Sequence, residues 1–249
     1  MLLGTAVWPE GPASRRALVA RLASGRVADL NRLEAIRLGK LGEGLPEALA
    51  EQLVPASLRR ALEGGPRALA RIRQTVRYAE KWDGRGTLPE ALAPALASVQ
   101  MLACVPRPAA LRRLDGHLLD RHAVKGPGSE LLSLPSPSLA AVGMAGGAVA
   151  GFCLCLEGEG ETVLGAWLAD EWPTGSLELK VGATRRSAPL KAWEGLALPP
   201  LQAGEVLLLP APKLKPLPEL LAGAEVRLSA GFEQMVLRLG PEGVHPTLQ

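Results

Sequence analysis

Two apolar runs follow one another in the second half of this sequence, Gly151-Phe-Cys-Leu-Cys-Leu156 and Thr162-Val-Leu-Gly-Ala-Trp-Leu-Ala169. Each is bounded by residues that favour turns, and each is far shorter than the ~20 apolar residues of a membrane span. Similar runs occur at residues 205–209, 225–229 and 235–239. Short apolar runs separated by turns predict a sheet-rich sandwich or roll for this half of the chain.

The first half of the sequence begins with a hairpin pattern and continues with helical ones. Ser24-Gly25 lies between two short apolar runs and predicts a small β-hairpin. Leucines recur at every fourth position from Leu45 to Leu53, which predicts an amphipathic helix. A second helix is predicted after Pro66, where Leu69, Ile72, Val76 and Ala79 share one stripe. The predicted fold class is therefore α+β.

An extended proline-rich connector at residues 104–108 indicates a domain boundary. We expect a small N-terminal domain of hairpin and helices at residues 1–105 and a β-rich domain at residues 106–249. Residues 109–124 are predicted to form one helix with its leucines directed inward and Gly116 as its weak point.

Composition restricts the classes of protein to consider. The 249 residues are 47% hydrophobic and 21% charged, which is typical of a globular chain. Residues 1–125 carry 20 basic and 12 acidic side chains (+8), and residues 126–249 carry 8 and 13 (−5). Aromatic residues are only 3%, so stacking platforms for nucleic acid are few, and solvated helix faces explain the basic half better. The N-terminus lacks the features of a signal peptide, so we expect a cytoplasmic protein; the Ala, Leu, Arg and Pro content suggests a GC-rich, thermophilic bacterium.

The three cysteines are Cys104, Cys153 and Cys155, and their number and spacing disfavour a disulfide framework. With only three histidines, a zinc cluster is also disfavoured. We interpret the cysteines as small buried side chains.

Several short motifs occur in an order that resembles one family over most of the chain, the fumarylacetoacetate hydrolase superfamily. The N-terminal motifs are Gly25-Arg-Val-Ala-Asp-Leu-Asn31, Leu53-Val-Pro-Ala-Ser-Leu58 and Leu62-Glu-Gly-Gly-Pro-Arg-Ala-Leu69. The C-terminal motifs are Pro106-Arg-Pro108, Pro135-Ser-Pro-Ser-Leu-Ala-Ala-Val-Gly143, Leu168-Ala-Asp-Glu-Trp172, Lys180-Val-Gly182, Leu201-Gln-Ala-Gly-Glu-Val206 and Leu221-Ala-Gly-Ala-Glu-Val226. Each motif is weak alone, and the resemblance rests on their collinearity.

The resemblance implies a mixed β-roll, usually dimeric, with a divalent metal, commonly Mg²⁺, in the active site. The family holds this metal with a Glu-x-Glu pair on one strand and a third carboxylate, and a lysine assists the substrate. Alternate residues of a strand share a face, so such a pair directs two oxygen ligands at one cation. The metal would polarise a keto-acid oxygen for cleavage, decarboxylation or tautomerisation.

The sequence departs from this pattern at the metal ligands. Ala150 and Phe152 align with the two glutamates, and Glu171 aligns with the third carboxylate. Glu171 would bind a metal only if a metal site persists in this chain. Glu157-Gly-Glu159 is formally a Glu-x-Glu pair, but its glycine-rich surroundings predict a solvated hairpin turn. Lys191 matches the family's lysine only with a gap.

His117 and Asp120 are the candidate catalytic residues. The resemblance places a catalytic histidine near His117, and Asp120 would lie three residues further along the same predicted helix. Such a dyad could activate water, with the carboxylate orienting the imidazole. The competing interpretation is an exposed helical histidine. Arg112 and Arg113 could bind a substrate carboxylate.

The sequence leaves three hypotheses about function open. The leading one is a non-catalytic relative without a cofactor, forming a homodimer or pairing with an active paralogue of the same family. The alternative is an active hydrolase, lyase or isomerase on a small oxo-acid of the acylpyruvate or oxaloacetate type. It would use Mg²⁺ or Mn²⁺ on Glu157, Glu159 and Glu171, or His117 and Asp120 without metal. The third is an unrelated α+β domain with an apolar pocket.

Overall fold

The computed structural model describes residues 1–10, 13–131, 136–193, 195–211 and 223–240. The strands of the first half are β1 (Leu2–Glu10), β2 (Ala13–Arg21), β3 (Val27–Asp29), β4 (Gln100–Met101), β5 (Leu111–Arg113) and β6 (Ala123–Lys125). Those of the second half are β7 (Glu130–Leu131), β8 (Ser136–Gly143), β9 (Val149–Gly158), β10 (Glu161–Leu164), β11 (Trp167–Ala169), β12 (Ser176–Val181), β13 (Thr184–Pro189), β14 (Val206–Pro210), β15 (Glu225–Ala230) and β16 (Glu233–Leu239). The helices are α1 (Leu30–Lys40), α2 (Pro46–Leu53), α3 (Leu58–Glu63) and α4 (Gly65–Asp83), with 3₁₀ turns at Leu96–Ser98 and Leu190–Trp193. Pro135, Leu221 and Ala222, which belong to two of the family motifs, lie outside the described residues.

The described strands form two sheets. The larger one has the order β3-β2-β1-β11-β9-β8-β14-β5, with β4, β6 and β10 attached at its sides. The smaller one has the order β13-β12-β15-β16-β7. The α+β class and the sheet-rich second half are therefore confirmed.

The N-terminal hairpin is confirmed, and it is larger than predicted. β1, which the sequence analysis did not find, pairs with β2 along its whole length and with β11 through Leu3↔Leu168. The N-terminal strands therefore continue the sheet built by the second half of the chain. The division into two domains at residues 105 and 106 stays a prediction.

The helices after Pro46 and Pro66 are confirmed as α2 and α4. In α4, Pro66 lies in the first turn, where the missing N–H of proline removes no intrahelical hydrogen bond. The predicted apolar stripe of this helix is buried, namely Leu69, Ile72, Val76 and Ala79. The predicted helix at residues 109–124 is wrong. Its first residues form β5, because Leu111 pairs with Val206 of β14 in parallel, and Gly116 then turns the chain with a φ of +89°.

Two apolar cores lie on the two faces of the larger sheet. The core on the helix face, here called the helix-side core, includes Leu62, Ile72, Ala140, Val142, Cys153 and Cys155. The core between the sheets, here called the inter-sheet core, includes Leu139, Leu154, Leu156, Leu179, Val226 and Leu237. Successive residues of β9 thus enter opposite cores, which explains its unbroken apolar run. Along the described residues, no helix has the length and apolarity needed to cross a membrane.

Candidate functional site

Ala150 and Phe152, the two positions aligned with metal-binding glutamates, lie where the pairing of β8 with β9 is irregular. The register between β8 and β9 shifts at this point: Val142 is opposite Gly151, whereas Gly143 is opposite Val149. Ala150 is therefore the extra residue of a β-bulge. It packs in the helix-side core, while Phe152 packs in the inter-sheet core against Trp172, with ring centroids 4.4 Å apart. The two side chains do not share a face, so these positions lack both the carboxylates and the geometry of a Glu-x-Glu pair.

A polar cluster lies on the helix side of the sheet, at the far end of β9. We define the polar cluster as Arg113, Ser136, Ser138, Glu157 and Thr162. Arg113 donates from Nε to Oε1 of Glu157 over 2.7 Å, and its terminal nitrogen contacts the same oxygen. Ser136 is directly opposite Glu157 across the β8–β9 ladder, and Thr162 is opposite it across β9–β10. The prediction of a solvated turn at Glu157 is wrong, because this carboxylate is only 8% exposed; Glu159 is exposed as predicted.

The charged groups of the polar cluster are Arg113 and Glu157, which form an ion pair with each other. The hydrogen bond to Glu157 raises the pKa of the Arg113 guanidinium above its ordinary value and outweighs the opposing effect of burial. The hydroxyl of Ser138 is buried and has no hydrogen-bond partner among the described residues. Beside the cluster, Nδ1 of His122 is 3.1 Å from the hydroxyl of Thr162, and Lys125 pairs with Glu161.

Solved structures with very different sequences share this architecture over nearly their whole length. Maleylpyruvate hydrolase from Sphingobium sp. SYK-6 aligns with a TM-score of 0.60 at 15% identity, over 96% of this chain and 99% of that one. 5-Carboxymethyl-2-hydroxymuconate delta-isomerase from Mycobacterium smegmatis aligns with a TM-score of 0.54 at 14% identity, over 96% and 99%. 2-Hydroxyhepta-2,4-diene-1,7-dioate isomerase from Mycobacterium marinum aligns with a TM-score of 0.53 at 13% identity, over 96% and 98%. The chain has the fold of the fumarylacetoacetate hydrolase superfamily. The sequence matches no protein-family model and no curated protein, so the likeness establishes the fold and not the activity.

The polar cluster lies at the other end of β9 from Ala150 and Phe152, and its residues do not offer an alternative site for the divalent metal that the family resemblance implies. Mg²⁺ is bound in proteins through one or two ionised carboxylates, and water completes its octahedral geometry. Here Ser136 and Ser138, alternate residues of β8, offer two neutral hydroxyls, and the single carboxylate of Glu157 is already neutralised by Arg113. Across the described parts of the chain, no three His, Cys, Asp or Glu side chains form a group that could hold a metal ion. Glu157, Glu159 and Glu171 therefore do not come together as the rearranged site required.

His117 and Asp120 lie in the turn between β5 and β6 and not on a helix, so the predicted i, i+3 geometry is wrong. Both are exposed, and within the described residues neither side chain has a hydrogen-bond partner. Asp120 lines a cleft of about 450 Å³ together with Leu118 and His122, and His117 is not part of its lining. A catalytic role for His117 and Asp120 stays a prediction.

Glu171, the third aligned metal ligand, is exposed, and its neighbour Asp170 is the more constrained carboxylate. Asp170 accepts hydrogen bonds from the Met1 ammonium at 2.7 Å and from Nε of Arg73 at 3.1 Å. Burial raises the pKa of Asp170, but these two cations outweigh it and hold the pKa below its ordinary value. No sequence pattern marks Asp170, because its contacts depend on chain segments far away in sequence. Lys191 is also exposed, and Arg112 pairs with Glu205.

The Arg113–Glu157 pair should contribute more to stability than a surface ion pair does. Replacing Arg113 by Ala leaves Glu157 buried without its partner, and we expect a loss of about 1–2 kcal/mol in the free energy of unfolding. A fully buried pair costs about 3–5 kcal/mol to break, and the smaller value applies because the Arg113 side chain is 45% exposed. Urea denaturation of the purified variant measures the change.

Two further variants test the interpretation. Arg185→Ala breaks an exposed pair with Glu178 and should cost at most about 0.5 kcal/mol. Arg113→Ala combined with Glu157→Gln should recover most of the loss, since no unpaired charge remains. An Arg113→Ala variant that is as stable as Arg185→Ala would show that the pair is only a surface contact.

Proposed function

We propose that this chain is a non-catalytic protein of the fumarylacetoacetate hydrolase fold, with a role in binding or assembly. The observation that carries the proposal is that Ala150 and Phe152, at the positions aligned with metal-binding glutamates, enter opposite apolar cores and offer no ligand. The buried carboxylate of Glu157 does not replace them, because Arg113 neutralises it. A Lewis acid needs negatively charged oxygen ligands to stay bound, and the serines beside Glu157 do not supply them. Without a bound metal, the chain has no Lewis acid to polarise the keto oxygen of an oxo-acid.

The second candidate is an active hydrolase, lyase or isomerase on a small oxo-acid. It is favoured by the activities of the three proteins of known structure that share the fold, one named a hydrolase and two named isomerases. In this chain it would act without the metal in the polar cluster. Asp120 and His122, which line one cleft beside Leu118, are the titratable residues nearest to such a role.

A turnover assay distinguishes the two candidates. Oxaloacetate and an acylpyruvate are incubated with the protein and Mn²⁺ or Mg²⁺, and substrate loss is followed by absorbance. Because free divalent cations themselves decarboxylate oxaloacetate, the control contains metal without protein. We expect equal rates with and without protein. A protein-dependent rate that falls at least tenfold in a His122→Gln or Asp120→Asn variant would establish the enzyme instead.

We further propose that the protein works as a homodimer or in a pair with a paralogue of the same fold. The support is the family resemblance, since loss of a charged metal site need not weaken the rest of a fold. Light scattering on the purified protein gives its mass in solution, and affinity purification from the host tests for a paralogue. A monomeric mass together with no co-purified protein of the same fold would contradict this proposal.

A further inference from the structure

A second cleft, of about 310 Å³, opens between the N-terminal hairpin and the connection from α2 to α3. Its apolar lining includes Leu58 and Val105, both buried in the helix-side core. Four arginines also line it: Arg16 on β2, Arg59 and Arg60 on α3, and Arg107 in the proline-rich connector. Glu51 is the one acidic residue in this lining, so the cleft has a net charge of four minus one, or +3.

Two of the four arginines in this cleft form ion pairs with glutamates, and the other two do not. Arg60 donates to Glu51 over 2.8 Å, and Arg59 donates to Glu63 over 3.2 Å. Arg16 and Arg107, by contrast, have no hydrogen-bonding or acidic partner anywhere in the described residues. Both are exposed, so the ten N–H donors of the two guanidiniums are open to a ligand. Two like charges that have no ion-pair partner and line one concave site favour an anion there.

The hydroxyl of Ser57 adds an uncommitted polar group to the same lining. Ser57 precedes α3, yet its side chain makes no capping hydrogen bond to the helix. It can therefore donate to an oxygen acceptor in the cleft. Ala56 and Pro106, both half-buried in the same lining, supply an apolar surface for an uncharged part of a ligand.

We infer that this cleft binds a small organic dianion, with Arg16 and Arg107 holding its charged oxygens and the apolar lining holding its carbon body. The planar guanidinium matches carboxylate and phosphate oxygens with paired hydrogen bonds, so both kinds of dianion share the required chemistry. The site is separate from the polar cluster, with which it shares no residue. The inference does not depend on whether the protein is catalytic.

Titration calorimetry with three aromatic probes tests the inference on the full chain. Phthalate carries two carboxylates, phenyl phosphate at pH 8 carries a dianionic phosphate, and benzoate carries a single charge on the same ring. We expect at least one dianion to bind about tenfold or more tightly than benzoate, because only a dianion engages both guanidiniums. Whichever dianion binds more tightly identifies the ligand as a carboxylate or a phosphate ester. Equal affinity for all three probes, or no binding of either dianion at about 5 mM, would overturn the inference.

A charge-matched pair of variants locates the site. Arg16→Gln with Arg107→Gln should weaken dianion binding about tenfold or more, and should leave the melting temperature unchanged because both side chains are exposed. Arg77→Gln with Arg85→Gln removes the same charge from two exposed arginines outside the cleft. This control should keep the wild-type affinity. Equal losses in the two variants would mean diffuse attraction to a basic surface, and no loss in the first variant would place binding elsewhere; either result contradicts the inference.

Discussion

Raising the pH from 4.5 to above 7 is expected to lower the free energy of unfolding by about 3 kcal/mol through one side chain, Glu233. Burial raises the pKa of this carboxyl to about 7, although the backbone N–H groups of Ala166 and Trp167 donate to it. Its second oxygen has no hydrogen-bond partner among the described residues. The ionised form is therefore poorly accommodated in the folded state, where the side chain joins the smaller sheet to the turn before β11.

The sign of the effect follows from the raised pKa. The unfolded chain ionises Glu233 near 4.5, whereas the folded chain keeps its proton until about pH 7. Between these values the folded state binds more protons, so stability is fully present below pH 4.5 and is lost as the pH rises through 7. A difference of about 2.5 pH units corresponds to about 3 kcal/mol at 1.36 kcal/mol per unit.

Glu233→Gln isolates this contribution from the other titrating groups. The amide does not ionise, so the wild type should lose about 3 kcal/mol relative to the variant across this range. Urea denaturation at pH 4.5, 6 and 8 gives the two curves. Parallel curves for the wild type and the variant would mean that Glu233 ionises normally in the folded protein.

Gly151→Ala is the second change with a large expected effect. A Cβ atom at this position would lie 2.2 Å from the carbonyl oxygen of Ala169, which belongs to the backbone of β11 and cannot move aside as a side chain could. We expect a loss of about 3 kcal/mol, at the upper end for overpacking, since β9 and β11 must separate. Chemical denaturation measures it.

Gly44→Ala is the matched control for this substitution. No heavy atom lies within 4 Å of a Cβ at Gly44, and its φ is not in the left-handed region. The change should leave stability within about 0.5 kcal/mol or raise it slightly. If Gly151→Ala were equally harmless, the close approach of β9 to β11 and the register around the bulge would be wrong.

The sequence predicted those elements whose pattern is local. α4 was found because its apolar stripe and Pro66 are both visible within one segment. The strand at residues 151–156 was found because both of its faces are buried, which produces an unbroken apolar run. The helix predicted at residues 109–124 is wrong, because the helix-like spacing of leucines there competes with parallel pairing to β14. That strand begins 93 residues after Arg113.

The candidate site was less predictable, because its contacts join distant segments. Arg113 and Glu157 are 44 residues apart, and no local pattern signals that one will neutralise the other. The bulge that separates Ala150 from Phe152 arises from one extra residue in the β8–β9 pairing, which an alignment that assumes strict alternation cannot show. The order of motifs was enough to predict the fold. Which carboxylates are buried and paired could be seen only in the three-dimensional structure.

Isothermal titration of the chelator-stripped protein with Mn²⁺ and Mg²⁺ tests the central claim, which is that this chain does not hold the divalent metal that the family resemblance implies, because Ala150 and Phe152 replace the aligned glutamates and Arg113 neutralises Glu157. The account predicts no saturable binding up to about 1 mM metal, a concentration at which a metal held by several carboxylates would be bound. Micromolar binding that is lost in Glu157→Gln or in Glu171→Ala would contradict it, and would make a metal-dependent enzyme the better account of this chain.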